Sequence, residues 1–323
     1  MSNKQLAVAA VAVLALTTAA CSSGDNTSSG GTKQWKVTLI AGTTADNFYV
    51  TMNCGAQAEA KKLGVTYEFT GPNHFDAPTQ IPVVNSVTTK HPDAVLIAPT
   101  DVDALIQPMK QMQSAGIKVV EVDTHVNDAS ISVSKIASDN LKGGVLAADA
   151  LAQLIGSKGT VMVVNVNPGI STTDARDKGF KQQMAAKYPD IKVLPTQYDN
   201  DDQAKAAQIL TSTYAAHPDL NGIFAANTIS AEGVGTGIKN ASATGKIKTV
   251  GFDAEPQSIE DLNNDVVQAL IAQQPARIGA DGIDQAVNAL EGKPVQATIG
   301  TDLVAITKDN QATTNQYFYK SSC

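Results

Sequence analysis

From Lys36 onward the sequence alternates short, mostly apolar runs with longer stretches of mixed polarity, and few folds accept that order. KVTLIA (36–41), AVLIA (94–98) and KVVEV (118–122) form a first series. TVMVVNV (160–166), GIFAA (222–226), TVGF (249–252) and VQALIA (267–272) form a second. Such runs read as strands buried on both faces, and strands of that kind joined by helices build parallel sheets from βαβ units. The segment 48–63, stopped at Gly64, is one connecting helix, and 102–115 is another.

The two series echo each other. His91-Pro92-Asp93 leads into AVLIAPT, a helix, and KVVEVD ending at Asp123. His217-Pro218-Asp219 leads into LNGIFAANT, a helix, and IKTVGFD ending at Asp253. The length of 323 residues exceeds one typical domain, and the repeated order predicts two similar α/β lobes. Both aspartates fall just past the carboxyl end of a strand, the edge where open parallel sheets bind ligands. Lobes facing one another there bring Asp123 and Asp253 to one cleft from opposite walls. The plainer use of each is to cap the next turn.

The first residues read as an export signal. Lys4 precedes an apolar run, Leu6 to Leu16, then small residues and Cys21. That run is short of the roughly 20 residues a bilayer span needs but fits a secretory signal. LTTAAC resembles a bacterial lipobox, departing at Thr18, where Leu is more usual; an ordinary signal peptide cut nearby is the alternative. The expectation is a signal over 1–20, a lipidated Cys21, and a flexible Ser/Gly tether completing 21–35. The protein is then exported and lipid-anchored on the outer face of the cytoplasmic membrane. With Cys21 modified, Cys54 and Cys323 remain, and an exported chain permits a disulfide between them. A formal charge of −7 without a Lys/Arg run speaks against nucleic acid, and leaves the lipid anchor as the membrane contact.

Enzyme motifs are scarce. The sequence lacks a G-x-S-x-G elbow, a Walker loop and an H-E-x-x-H pair. GVGTG (233–237) sits inside a helical stretch, and DNDD (199–202) begins like a calcium loop but places Leu210 at the twelfth position. DNDD is better read as a solvated loop or helix start. Neither a metal site nor a cofactor is expected. What remains is a set of polar groups after strands: Asp123, Arg176, Asn227, Asp253 and Gln273. Carboxylate, guanidinium and carboxamide groups satisfy neighbouring hydroxyls of a small polyhydroxylated molecule. Adjacent helical residues point about 100° apart, so of Phe48 and Tyr49 one ring is expected in the core and the other against the ligand.

From about Lys36 to Leu303 the chain resembles the ribose-type periplasmic binding proteins of ABC transporters. The phrases that carry the resemblance are DNFYVTMNCGAQAEAKKLG, LIAPTD, KVVEVDT, IASDNLKGG, ARDKGF, AHPDLNGIFAAN, VGFDAEP and ALIAQQP. It implies two similar doubly wound parallel-sheet lobes joined by a three-segment hinge, with crossovers near Ser138–Asp139, Gln273–Gln274 and Asp302–Leu303. The lobes would then be 36–138 plus 274–302, and 139–273 plus 303–323. It implies that Phe48 and Tyr49 stack on a sugar, that Asp46 and Asn47 lie beside it, and that Asp123, Arg176, Asn227, Asp253 and Gln273 bind hydroxyls. Thr124 stands where ribose binders carry an Arg, Gly42 where they carry a Ser, and an aromatic wall near Asn200 to Asp202 is missing. The expected pocket is more acidic and less aromatic than a ribose site.

The function implied is capture without catalysis. A monomer would take a neutral monosaccharide other than ribose, or a tetritol or pentitol, and deliver it to the permease of an ABC transporter by hinge closure. An autoinducer or nucleoside binder on the same fold is the alternative. A sugar-hydrolysing enzyme lacks a nucleophile–base pair, and a lactose-repressor-type core lacks an N-terminal helix-turn-helix.

Overall fold

The computed structural model describes residues 34–323. Cys21, the signal segment and most of the tether lie outside these residues. The chain runs β1 (Lys36–Ile40), α1 (Asn47–Lys62), β2 (Thr66–Thr70), α2 (Ala77–Lys90), β3 (Ala94–Ile97), α3 (Ile106–Ser114), β4 (Lys118–Val122) and β5 (Ser134–Ser138). It continues with α4 (Asn140–Leu154), β6 (Gly159–Asn165), α5 (Ser171–Lys187), β7 (Ile191–Val193), β8 (Gln197–Tyr198), α6 (Gln203–Ala216), β9 (Leu220–Ala225) and α7 (Thr228–Asn240). The last elements are β10 (Lys248–Phe252), α8 (Pro256–Asn263), β11 (Ala269–Ala272), α9 (Pro275–Leu290), β12 (Thr298–Thr301), β13 (Val304–Ile306) and α10 (Gln311–Thr314).

Two sheets result. The first has the order β12-β5-β4-β3-β1-β2 and the second β13-β11-β10-β9-β6-β7, with β8 beside β6. Every pairing is parallel except β11 with β13. Helices cover both faces, which explains why the strands are apolar without strict alternation. Leu39 and Leu96 pack on the α1/α9 side of the first sheet, whereas Ile40, Val95 and Ile97 pack on the α2/α3 side. The second sheet is layered the same way, with Val161, Val163 and Phe224 facing α4 and α5, and Met162, Val164 and Ile223 facing α6 and α7.

The chain passes between the sheets three times. It leaves β5 for α4, whose Ala147, Ala148 and Leu151 pack on the second sheet. It returns after β11 through α9, whose Ile278 and Ile283 join the first core. It crosses again between β12 and β13. The last residues then turn back to α1, where Cys323 is bonded to Cys54 with Cα atoms 5.2 Å apart.

Each lobe contains a helix pair brought into direct backbone contact by reciprocal glycines. A Cβ at Gly55 of α1 would overlap the Ala276 carbonyl of α9, and one at Gly279 of α9 would overlap the Met52 carbonyl of α1. In the second lobe a Cβ at Gly144 of α4 would overlap the Arg176 carbonyl of α5, and one at Gly179 would overlap the Leu141 carbonyl. Because the obstacle is backbone, relief requires the helices to separate. Gly144→Ala should therefore destabilise the protein by about 1–3 kcal/mol, the usual cost of overpacking, measured by urea unfolding. It should also shift Arg176, so a loss of stability without a change in the Arg176 environment would contradict this packing account.

Candidate ligand-binding site

Strands that run in parallel put all their carboxyl ends on one edge, and the helix N-termini arrive at the same edge. The two lobes bring those edges together around a narrow cleft. The first lobe contributes Asp46, Phe48, Tyr49, Phe75 and Asp123. The second contributes Val166, Ile170, Thr172, Thr173, Arg176, Asp201, Asn227 and Asp253, with Gln273 at the passage from β11 to α9.

Asp123 and Asp253 are built alike. Each follows its strand in the left-handed region, with φ of 64° and 75°. Asp accepts that conformation more readily than most residues. Each donates its N–H to the next strand, Asp123 to the Ile136 carbonyl at 2.8 Å and Asp253 to that of Ile271 at 2.9 Å. Their carboxylates are then held by side chains. Tyr49 Oη donates to Asp123 Oδ2 at 2.8 Å. Asp253 Oδ1 accepts from Gln273 Nε2 at 2.8 Å and Tyr319 Oη at 2.7 Å, and its Oδ2 accepts from Thr228 Oγ1 at 3.2 Å.

Arg176 lies in the first turns of α5, 2% exposed, with its guanidinium 3.6 Å from the centroid of the Phe252 ring. Its Nε donates to Asn140 Oδ1 at 2.8 Å and its Nη1 to the Ala226 carbonyl at 2.7 Å. Asp46 and Asn227 are helix N-caps: Asp46 accepts from the Phe48 N–H at 2.7 Å, and Asn227 Oδ1 from that of Ser230 at 2.9 Å. Asn227 Nδ2 donates to Asp201 Oδ1 at 2.9 Å.

Phe48 and Tyr49 differ from the division of labour expected of them. Both are 3% exposed, both belong to the first core, and both line the cavity. They stand at the N-terminal turn of α1, where side chains tilt back past the helix end, so neighbours converge on the space beyond it. Their rings meet edge to face at 5.1 Å, and Tyr49 stacks with Phe75 at 6.3 Å. Phe75, in the loop after β2, carried no periodic signal in the sequence. Asp201 was hidden in DNDD: Asp199 is fully buried and bonded to Ser230, Asp202 caps α6, and Asp201 faces the cleft. The segment is the helix start that its sequence allowed, with Asn200 and Asp202 exposed and Asp199 and Asp201 turned inward. None of the second-lobe residues that line the space is aromatic.

Asn47 and Thr124 lie outside the lining. Asn47 Nδ2 instead reaches across to Glu255 Oε2 at 3.4 Å. Thr124 is buried beside Asp123, and its N–H closes a turn onto the Val122 carbonyl at 2.8 Å. Further bonds join the lobes: the Val102 N–H to the Gly169 carbonyl at 3.0 Å, and the His125 N–H to Ser171 Oγ at 3.0 Å. The lobes are closed on one another.

Four carboxyl groups share this space with one guanidinium. Burial pushes Asp123 up to about 6, against the pull of the Arg176 charge and the Tyr49 bond. Burial, then the Asp253 charge, raises Asp46 well above the usual range, and burial raises Asp201. Glu255, behind Asn47, is pushed up to about 10 by burial and then by Asp46. Among the described residues, no group of three or more His, Cys, Asp or Glu is placed to hold a metal ion.

Two facing α/β lobes around a closed polar cleft define a two-lobe solute-binding protein. A periplasmic binding protein domain model matches residues 37–294, and the chain belongs to that family, in its ribose-type branch. The ribose import binding protein of Escherichia coli strain K12 is 32% identical over 272 residues, 84% of this chain and 90% of that protein. The D-allose-binding periplasmic protein of the same strain is 27% identical over 259 residues, 78% of this chain and 83% of that protein. A crystal structure of an ABC transporter solute binding protein from Agrobacterium vitis, bound with alpha-D-tagatopyranose, is 42% identical with a TM-score of 0.88, covering 89% of this chain and all (100%) of that one. These relatives are binding proteins, and the chain is a binder rather than an enzyme.

The raised carboxyl groups give the unliganded protein a pH signature. A carboxyl that titrates near 6 when folded, against about 3.9 unfolded, holds its proton longer in the folded state. Its contribution is complete below the unfolded value and is lost as pH rises through 6. Asp199, pushed up to about 6 by burial, adds to the same window. Asp128, held well below the usual range by its bond to Lys110, works oppositely and loses its contribution below about pH 4. Melting of the ligand-free protein should thus be higher at pH 5 than at pH 7.5, by roughly a few degrees. Asp123→Asn should flatten that slope; an unchanged slope would remove Asp123 as a source of it.

Proposed function

We propose that the protein is an exported lipoprotein that captures an uncharged monosaccharide or short sugar alcohol between its lobes and delivers it to an ABC permease. The observation that carries this reading is a set of unsatisfied buried acceptors around a single cation. Asp123 Oδ1, Gln273 Oε1 and Thr173 Oγ1 are buried with no hydrogen-bond partner in the protein, and all three residues face the cavity that holds Arg176. Leaving such groups unmade costs about 1–3 kcal/mol each, so the site is built for a molecule that donates to them. Hydroxyl groups donate and accept at once.

In this reading Asp123 and Asp253 accept from ligand hydroxyls, Arg176 donates through its remaining guanidinium hydrogens, and Asp46, Asn227 and Gln273 complete the polar shell. Phe48, Tyr49 and Phe75 pack on the CH faces. The lining of three rings and a few convergent polar groups suits a small ligand, a single ring or short chain. Relatives named for ribose and allose, and solved neighbours bound with tagatose and arabinose, support a monosaccharide. Wherever the carboxyl groups of the cleft are ionised they disfavour an anion, since like-charge juxtaposition is costly. Hinge closure would present both lobes together to the permease, with Cys21 anchoring a monomer at the membrane outside the cytoplasm.

A thermal-shift screen followed by calorimetry tests this, with pentoses, hexoses, tetritols, pentitols, sugar phosphates and nucleosides. A neutral sugar or polyol should bind with micromolar or tighter Kd, about −8 kcal/mol. Asp253→Asn tolerates the same backbone and should weaken that affinity at least about tenfold, because bonds to charged groups contribute about 1.5–3 kcal/mol. A sugar phosphate or nucleoside binding more tightly than every neutral sugar would overturn the reading.

A further inference from the structure

The three passages between the sheets are not the only links between the lobes. After α10 the tail first holds the second lobe, where Tyr317 and Phe318 pack against its core and the Tyr319 N–H donates to the Ala254 carbonyl at 2.9 Å. One residue later it holds the first lobe. The Lys320 N–H donates to Thr51 Oγ1 of α1 at 2.7 Å, and Cys323 is bonded to Cys54 of the same helix. Tyr319 stands at the changeover, 5% exposed, with its ring 5.8 Å from Phe48. Its hydroxyl donates to Asp253 Oδ1 at 2.7 Å and accepts the Gln273 N–H at 3.0 Å.

We propose that the segment past Thr314 is a fourth crossing between the lobes, pinned by the disulfide, and that Tyr319 is a positioning residue that sets Asp253 and Gln273 for the cleft. One hydroxyl oxygen bridges the carboxylate to the backbone of the passage between β11 and α9. Without it, Asp253 Oδ1 keeps the Gln273 amide alone, and a buried N–H loses its acceptor. The disulfide supplies the constraint that makes this bridge persistent. Cys323 is four residue steps from Tyr319, a reach of at most about 14 Å. Tyr319 is therefore carried by α1, the helix whose first turn presents Asp46, Phe48 and Tyr49, and it couples that wall to Asp253 on the other. This coupling does not depend on which molecule the cleft takes.

The test compares the full chain with Tyr319→Phe and with the double variant Cys54→Ser, Cys323→Ser. Amide exchange without ligand is read at Gln273. Affinity is read by calorimetry with D-tagatose, D-arabinose, D-ribose and D-allose, and melting is followed for all three proteins. Exchange at Gln273 should accelerate at least about tenfold in both variants, while Leu270 and Ile271 in the adjoining strand keep their protection. Affinity for the best-bound sugar should fall at least about tenfold in both, with melting of Tyr319→Phe close to that of the parent. A double variant that melts earlier yet keeps Gln273 protection and sugar affinity would make the disulfide a staple only and overturn the crossing. Unchanged affinity in Tyr319→Phe would overturn the positioning role. The exchange readout needs no sugar, so it decides the crossing even if none of the four binds, a failure that would count against the functional reading alone.

Discussion

The cleft depends on one immobilised cation. Arg176 carries the charge that opposes the effect of burial on the Asp123 carboxyl, and it does so because the guanidinium cannot swing away. Asn140, the Ala226 carbonyl and the Phe252 ring hold it from three sides. Its backbone is held equally firmly, since the Arg176 carbonyl is the surface against which Gly144 packs. Helix contact, guanidinium placement and carboxylate burial are thus links of one chain. A lysine would not substitute, because the fork of fixed donors and the flat face over Phe252 are both used.

Much of this plan could be read in the sequence, because the two lobes repeat it. The HPD echo has a structural basis: Asp93 Oδ2 accepts the Lys36 N–H at the start of β1, and Asp219 Oδ2 accepts from Thr160 Oγ1 at the start of β6. The terminal aspartates of the echo, Asp123 and Asp253, became the matched left-handed pair. Strand ends and helix starts carry strong local signals, and the residues found from the sequence sit there. Phe75, Thr172, Thr173 and Asp201 lie in loops or on polar helix turns, where side-chain direction is set by tertiary contacts and no period reports it. Tyr319 was hidden for another reason. It reaches the site from 66 residues past Asp253, and only the return of the tail to α1 brings it there.

The closed arrangement rests on few direct bonds between the lobes. Val102 with Gly169, His125 with Ser171, and Asn47 with Glu255 contribute a net of about 0.5–1.5 kcal/mol each at most. Against them stands the cost of taking Asp46, Asp123 and Asp201 out of water, which several protons or several hydrogen bonds must offset. Each carboxyl group that gives up its proton near neutral pH raises the demand for donors inside the cleft. A polyhydroxylated solute of the kind proposed would supply such donors to both walls at once. Under the proposed function, the same desolvation that makes the closed cleft costly by itself would make closure responsive to a bound solute.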